Sequence, residues 1–321
     1  MPQRVRITDV APRDGLQNES AVVPVEDKVA LIEKLALAGV DEVEITSFVR
    51  PDWVPQLADA AEVAGRIAEF VEGVRMVAGE LPRNIGSPDT PGGATLPIFS
   101  ALVPNERGLE RLLTFHERGL DLKVSLFAAA SETFSRKNTN ASISEVLSRF
   151  GPVMLRAHEA RLPIRVYVSC AVACPFEGPT EPGFVRRVVN QVREVAVTND
   201  VPPESIEIDL ADTIGVARPD DITALLGEFS PQDIERLTLH LHDTHGGAAD
   251  CVRTALALGV RSFDGAAGGL GGCPFASVGD TRAPGNLATQ TLVRTVHDAG
   301  YTTGVDMTLL GEAGRFAEAL V

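Results

Sequence analysis

Eight short runs rich in Val, Ile and Leu alternate with stretches of helical spacing along 321 residues, and polar side chains gather just after those runs. These two observations predict a TIM (β/α)8 barrel, a single α/β domain of parallel strands over 1–321 with its chemistry at the C-terminal rim. The strand-like runs lie at 4–10, 40–45, 96–103, 121–127, 163–169, 205–210, 236–241 and 260–264. In the stretch 25–38, Val25, Val29, Ile32 and Leu35 share one helical face, and Gly39 is a suitable stop. In 182–197, Val185, Val188, Val189, Val192 and Val195 repeat that pattern, with Arg186, Arg187 and Arg193 turned outward. In 247–258, Val252, Ala255 and Leu256 do the same before Gly259. A doubly wound open sheet is the competing architecture, but no G-x-G-x-x-G opens its first strand–helix turn. The segment Gly79–Pro97, dense in Gly and Pro, reads as a loop inserted before the third strand.

Composition narrows the function classes. Lys plus Arg number 29 against 44 Asp plus Glu, a net charge of −15 that disfavours nucleic acid as a partner. A phosphorylated small molecule stays possible, since it needs only a few local cations. No charge-free stretch reaches the 18 residues of a membrane span, so no membrane association is expected. Four cysteines are too few for a disulfide scaffold. Arg4, Arg6, Asp9, Arg13 and Asp14 interrupt any signal-peptide core, and a cytoplasmic protein is expected.

The ends of the strand runs carry the chemistry. His240-x-His242 sits on the seventh run, where residues two apart face the same way, roughly 6.6 Å apart at about 3.3 Å per residue. Two imidazoles on one face can hold a cation, or form a hydrogen-bonded core pair; spacing alone leaves both open. Asp14, at the matching end of the first run, favours the cation, and a ligand set without thiolate favours Mg²⁺, Mn²⁺ or Zn²⁺. Arg13 is either a salt-bridge partner or a permanent charge aimed at an oxygen that gains charge during reaction. Cys170 and Cys174 lack the spacing of a zinc knuckle and read as small rim or core residues. Cys273 lies in Gly268-Gly269-Leu270-Gly271-Gly272-Cys273-Pro274, a poor helix and a poor strand but a good mobile lid. A thiol there can move a proton once water is shut out.

The chain resembles the 3-hydroxy-3-methylglutaryl-CoA lyase family. The resemblance rests on Arg13-Asp14-Gly15-Leu16-Gln17-Asn18-Glu19, Thr46-Ser47-Phe48-Val49, Trp53-Val54-Pro55-Gln56 and Tyr167-Val168-Ser169-Cys170. It continues through Asp212-Thr213-Ile214-Gly215, His240-x-His242-Asp243-Thr244, the Gly-rich Cys273 loop and Gly285-Asn286-Leu287-Ala288-Thr289. These motifs run in the family's order over nearly the whole chain.

That resemblance implies a metal-dependent carbon–carbon lyase acting on a 3-hydroxy-3-methylacyl-CoA, with a divalent cation (Mg²⁺ or Mn²⁺) as cofactor. Asp14, His240, His242 and Asn286 would be the ligands; read alone, Asn286 is a helix cap. Arg13 would stabilise a thioester enolate, Cys273 would carry a proton, Glu44 would hold the neighbouring groups, and Asp212 or His240 would serve the substrate hydroxyl. Gln17, Ser47, Arg165, Ser169 and Thr213 are expected to line the substrate pocket. Ser135-Arg136-Lys137-Asn138 offers Arg136, Lys137 and Asn138 to the CoA phosphates, a solvated helix entry being the alternative. A homo-oligomer, a dimer, is expected.

The chain departs from the family pattern at Ala276–Pro284, a longer spacer, and at His245, where the family has Tyr; both are expected to border the acyl pocket. Competing functions are the same cleavage on a related thioester such as citramalyl-CoA, a condensing synthase, and a barrel that only binds a CoA ester. A synthase usually has a further C-terminal domain, which is not expected here.

Overall fold

A computed structural model describes residues 3–78, 96–272 and 285–321. Eight parallel strands close into a barrel: β1 (Arg6–Asp9), β2 (Glu42–Ser47), β3 (Ile98–Leu102), β4 (Leu122–Ala129), β5 (Ile164–Ser169), β6 (Ile206–Asp212), β7 (Leu237–Leu241) and β8 (Ser262–Gly265). Each strand lies beside its neighbours in sequence, and β1 pairs with β8 to close the circle. All eight expected runs are strands. A two-stranded ribbon, Ala173–Cys174 with Gly178–Pro179, stands apart from the barrel. Most of Gly79–Pro97 and all of Ala276–Pro284 lie outside the described residues.

Helices follow the strands around the outside. The three expected helices are present as Val25–Leu37, Pro182–Thr198 and Ala248–Leu258. The first gives way to Gly39 at φ 78° and the last to Gly259 at φ 110°, backbone shapes that favour glycine. The helix Ile143–Glu159 starts at a reciprocal cap, Ser142 with Glu145. A final helix, Met307–Glu318, packs on Val25–Leu37 and on the turn Ala267–Gly269. Among the described residues no helix is long and apolar enough to cross a membrane.

Strand alternation divides each strand between two environments. Val43, Ile45, Val166, Ile208, Leu210, Leu239 and Phe263 are buried on the outward face, against the helices. The inward face of the barrel is charged. Arg165 on β5, fully buried, reaches Glu42 of β2 (3.5 Å), Glu207 (2.7 Å) and Asp209 (3.5 Å) of β6, and Asp264 of β8 (3.0 Å). Lys123 on β4 pairs with Glu42 and, at 2.7 Å, with Glu207. This layer lies under the rim, where the usual barrel is filled by branched aliphatic side chains.

Candidate active site

The site is built from the first turn after β1. Asp9, fully buried at the strand end, accepts from the Ala11 N–H (2.9 Å) and from the Thr289 hydroxyl (2.6 Å). The chain then makes one π-helical turn, Ala11–Gly15, closed by the Gly15 N–H on the Val10 carbonyl. Such wide turns recur at functional sites; this one presents Arg13 and Asp14 together.

Arg13 is almost fully buried and held from three sides. Its Nε and Nη2 lie 2.5 Å from Glu44 Oε2, and its Nη1 lies 2.6 Å from Asp14 Oδ1. Its guanidinium stacks over the Tyr167 ring at 5.4 Å, while the Tyr167 hydroxyl donates to the same Glu44 oxygen (3.2 Å). Burial opposes its charge, but Glu44 and Asp14 outweigh burial and keep Arg13 protonated. Burial pushes the Glu44 carboxyl up, with Arg13 and Arg165 opposing. At Asp14 burial acts in the same sense, but Arg13 prevails and holds that carboxyl well below the usual range.

Facing this turn, β7 brings His240 and His242 to the rim with their Nε2 atoms 3.1 Å apart. A donor atom from each, and one from Asp14, all lie within 4.8 Å of one another. Asn286 closes the group, giving its Nδ2 to Asp14 Oδ2 (2.9 Å) and to the Leu270 carbonyl (3.0 Å). Gly271 allows this approach: a Cβ there would stand 2.6 Å from Asn286 Nδ2. Two atoms of the cluster, Asn286 Oδ1 and His242 Nδ1, are buried without a hydrogen-bond partner among the described residues. Burial, then the neighbouring His240, brings His242 down to about 4, so its ring is neutral and a lone-pair donor at neutral pH. An ionised carboxylate, two imidazoles and a spare amide oxygen fit a divalent cation.

The cluster forms the floor of a cavity of about 440 Å³. Arg13, Asp14, His240 and His242 are its polar end; Val49, Val54, Phe127, Phe134 and Phe150 are apolar wall, with Arg50, Trp53 and Arg149 also lining it. Of the residues singled out in the sequence, Gln17, Asn138, Ser169 and Thr213 line this cavity too. Ser47 is buried against the Leu102 carbonyl and is not part of the lining. Arg136 is exposed beside Glu132 (3.9 Å), and Lys137 sits over the Phe176 ring (4.9 Å). Asp212 is buried at the rim, its oxygens accepting from the Val216 and Ala217 N–H groups, and burial raises it to about 6. Cys273 lies outside the described residues.

Besides Ser47, which was expected to line the pocket and does not, two expectations need correction. Arg165 does not line the pocket: it sits deeper on the inward face of β5, enclosed by four carboxylates, with no exposed surface. His245 does not border this cavity either; it is exposed and lines a separate hollow with Arg218 and Asp250. Tyr167 and Asp264, absent from the residues assigned roles in the sequence, both touch the cluster. Tyr167 meets Arg13 and Glu44, and Asp264 Oδ2 lies 3.3 Å from His240 Nδ1. Their strand parity was the available signal, since Arg165, Tyr167 and Ser169 alternate on one face.

Cysteine 170 is a further consequence of the site's shape. It occupies the left-handed region (φ 59°) directly after β5, and its N–H donates to Thr213 Oγ1 at 2.7 Å. A non-glycine residue keeps that conformation only where its surroundings hold it.

A closed parallel barrel with a nitrogen–oxygen cluster able to hold a cation and a fixed guanidinium at its C-terminal rim has the architecture of the TIM-barrel enzymes. Within them, this chain belongs to the HMGL-like family, whose model matches residues 4–84 and 95–316. It is 40% identical over 320 residues to the mitochondrial hydroxymethylglutaryl-CoA lyase of Rattus norvegicus, covering 98% of this chain and 85% of that one. The HMG-CoA lyase structure from Brucella melitensis shares 39% identity at a TM-score of 0.81, with 99% of both chains covered. An HMG-CoA lyase from Acinetobacter baumannii, solved in complex with coenzyme A and 3-methylmalate, shares 30% at a TM-score of 0.75, covering 99% of this chain and 91% of that one. The chain is a carbon–carbon lyase.

Proposed function

We propose that this enzyme cleaves 3-hydroxy-3-methylglutaryl-CoA to acetyl-CoA and acetoacetate, with Mg²⁺ or Mn²⁺ held by Asp14, His240, His242 and Asn286. The observation that carries the reading is the fixed Arg13 guanidinium beside the Asp14–His240–His242 cluster at the floor of the cavity. A cation bound there would polarise the substrate's hydroxyl and carbonyl oxygens.

The protein's own groups divide the remaining work. The tertiary hydroxyl gives its proton to Asp212, because His240 keeps its hydrogen on Nδ1 and its Nε2 lone pair toward the cation; an Asp212 carboxyl raised to about 6 is closer to a useful base than an ordinary carboxylate. The bond between the hydroxyl-bearing carbon and the carbon next to the thioester then breaks. Its electron pair passes to the thioester as an enolate, and the former alcohol carbon becomes the ketone of acetoacetate. Arg13 faces the negative oxygen, and because Glu44, Asp14 and Tyr167 already fix its geometry, little reorganisation is required. Cys273 returns one proton to the enolate carbon, which balances the proton lost from the hydroxyl and yields acetyl-CoA.

For the CoA arm, Asn138 and Thr139 place the helix Glu132–Thr139 against the cavity, with Arg136 and Lys137 on the same short helix to meet phosphate. The CoA complex of the Acinetobacter relative supports a CoA thioester as substrate class. A product assay over a panel of 3-hydroxyacyl-CoA thioesters with added Mg²⁺ or Mn²⁺ tests the reading. Acetoacetate from the methylglutaryl ester at the highest kcat/KM supports it. Preference for citramalyl-CoA would reassign the substrate and keep the chemistry.

A further inference from the structure

We propose that Arg165 and Asp264 are positioning residues for the His240 ring, coupling the charged interior of the barrel to the cation cluster at its rim. The inference rests on the reading of Asp14, His240 and His242 as a cation site. Strand register sets the geometry first: β8 and β7 pair Asp264 directly with His240, so both side chains stand next to each other on the inward face. Asp264 Oδ2 lies 3.3 Å from His240 Nδ1. Its other oxygen, Oδ1, accepts from Arg165 Nη1 at 3.0 Å.

The Arg165 fork is itself anchored on other strands. Its Nη2 donates to Glu207 Oε1 (2.7 Å) and to Thr8 Oγ1 (3.0 Å), both of which are held by the sheet. The carboxylate of Asp264 therefore has one place to sit. An acceptor fixed at Nδ1 keeps the hydrogen on that nitrogen and leaves the Nε2 lone pair turned toward His242, at 3.1 Å, and Asp14. Carboxylates behind metal-binding imidazoles act in this way, and their loss costs about 10- to 100-fold in metal affinity. Arg165 touches neither the cavity nor the cluster; it acts through Asp264.

The test uses the full-length protein stripped of metal and titrated with Mn²⁺, free ion being read by electron paramagnetic resonance. Wild-type protein is expected to bind one Mn²⁺. Asp264→Asn turns an amide N–H toward His240 or removes the anionic acceptor, and should weaken Mn²⁺ binding about 10- to 100-fold with the circular-dichroism spectrum kept. Asp264→Glu, which restores the charge, should recover part of that loss. A purely structural role would lower the melting temperature and leave the Mn²⁺ affinity of the folded protein unchanged, and that result overturns the inference. If Asp264→Asn does not fold, Arg165→Lys, which keeps a charge and gives up the fork, is titrated instead; wild-type affinity there also overturns it. Failure of the wild-type protein to bind Mn²⁺ at all would overturn the cation-site reading, and the inference with it, and is seen before any variant is made.

Discussion

Replacing Arg13 by Gln removes a charge from the polar end of the cavity while leaving a side chain that fills part of its space. At roughly 4 Å and an effective dielectric of about 20, a unit charge acting on an enolate oxygen contributes about 4 kcal/mol, which is about a thousandfold in rate. Glu44 and Asp14 draw on the same guanidinium at 2.5 and 2.6 Å, so its share for the substrate is smaller. Loss of a single preorganised donor elsewhere costs about 10² to 10³ in kcat, and that range is the expectation here. KM should move less than about tenfold, because the interaction exists only along the reaction path. Initial rates of acetyl-CoA formation over a range of substrate concentrations give both constants.

The variant also strands Glu44, fully buried, without its cation, at a cost of about 3–5 kcal/mol in stability. The double variant Arg13→Gln/Glu44→Gln separates the two effects. It should regain much of the melting temperature and none of the turnover. Recovery of kcat in the double variant would show that Arg13 works only by stabilising the fold, and a change confined to KM would make it a substrate-binding residue.

The other expectations address cation, protonation, thiol and anion. Chelation should abolish turnover and Mg²⁺ or Mn²⁺ restore it; full activity in protein shown by elemental analysis to be metal-free refutes the cation reading. Asp9 is raised by burial to about 7, so the folded state binds its proton where the unfolded chain does not, and stability falls as pH rises from about 4 to about 7. Asp9→Asn should flatten that decline by an amount on the order of a few kcal/mol, read from denaturant unfolding at several pH values; an unchanged slope refutes it. Cys273→Ala should remove most turnover while Mn²⁺ and substrate affinity stay within a few-fold, and normal turnover would require another proton carrier. Replacing Arg136 and Lys137 by Ala should raise the Kd for CoA esters at low salt and little at high salt; equal binding at low salt discards that assignment.

The strand positions were legible because their outward faces form aliphatic runs, each residue of which packs on a helix. The inward faces were legible in kind and not in depth. On β5, Arg165, Tyr167 and Ser169 share one face by parity, yet only Ser169 lines the cavity, Tyr167 buttresses Arg13, and Arg165 lies in the layer beneath. Alternation says which side a residue takes; the level at which the cavity ends depends on shear and tilt, which come from all eight strands together. Arg13, Asp14, His240 and His242 were readable because each follows or ends a strand run, whereas Asn286 follows none and was singled out by the family resemblance alone. Asp9, which caps the start of the π-helical turn that brings the first two together, is itself held by Thr289, 280 residues away in the chain. No local pattern reports such a bond.

The charged layer inside this barrel also sets stability against activity. Burying Glu42, Lys123, Arg165, Asp209 and Asp264, with the partly buried Glu207 among them, costs desolvation that well-packed aliphatic side chains of the same volume avoid, and such replacements often stabilise a protein. A directed evolution that rewarded heat resistance alone would therefore drain this layer of charge, strand by strand. Its winners would melt later and turn over less, since His240 would stand at the rim with nothing beneath it to set its angle. Selection on heat resistance must be paired here with selection on turnover, because the two properties draw on the same six positions.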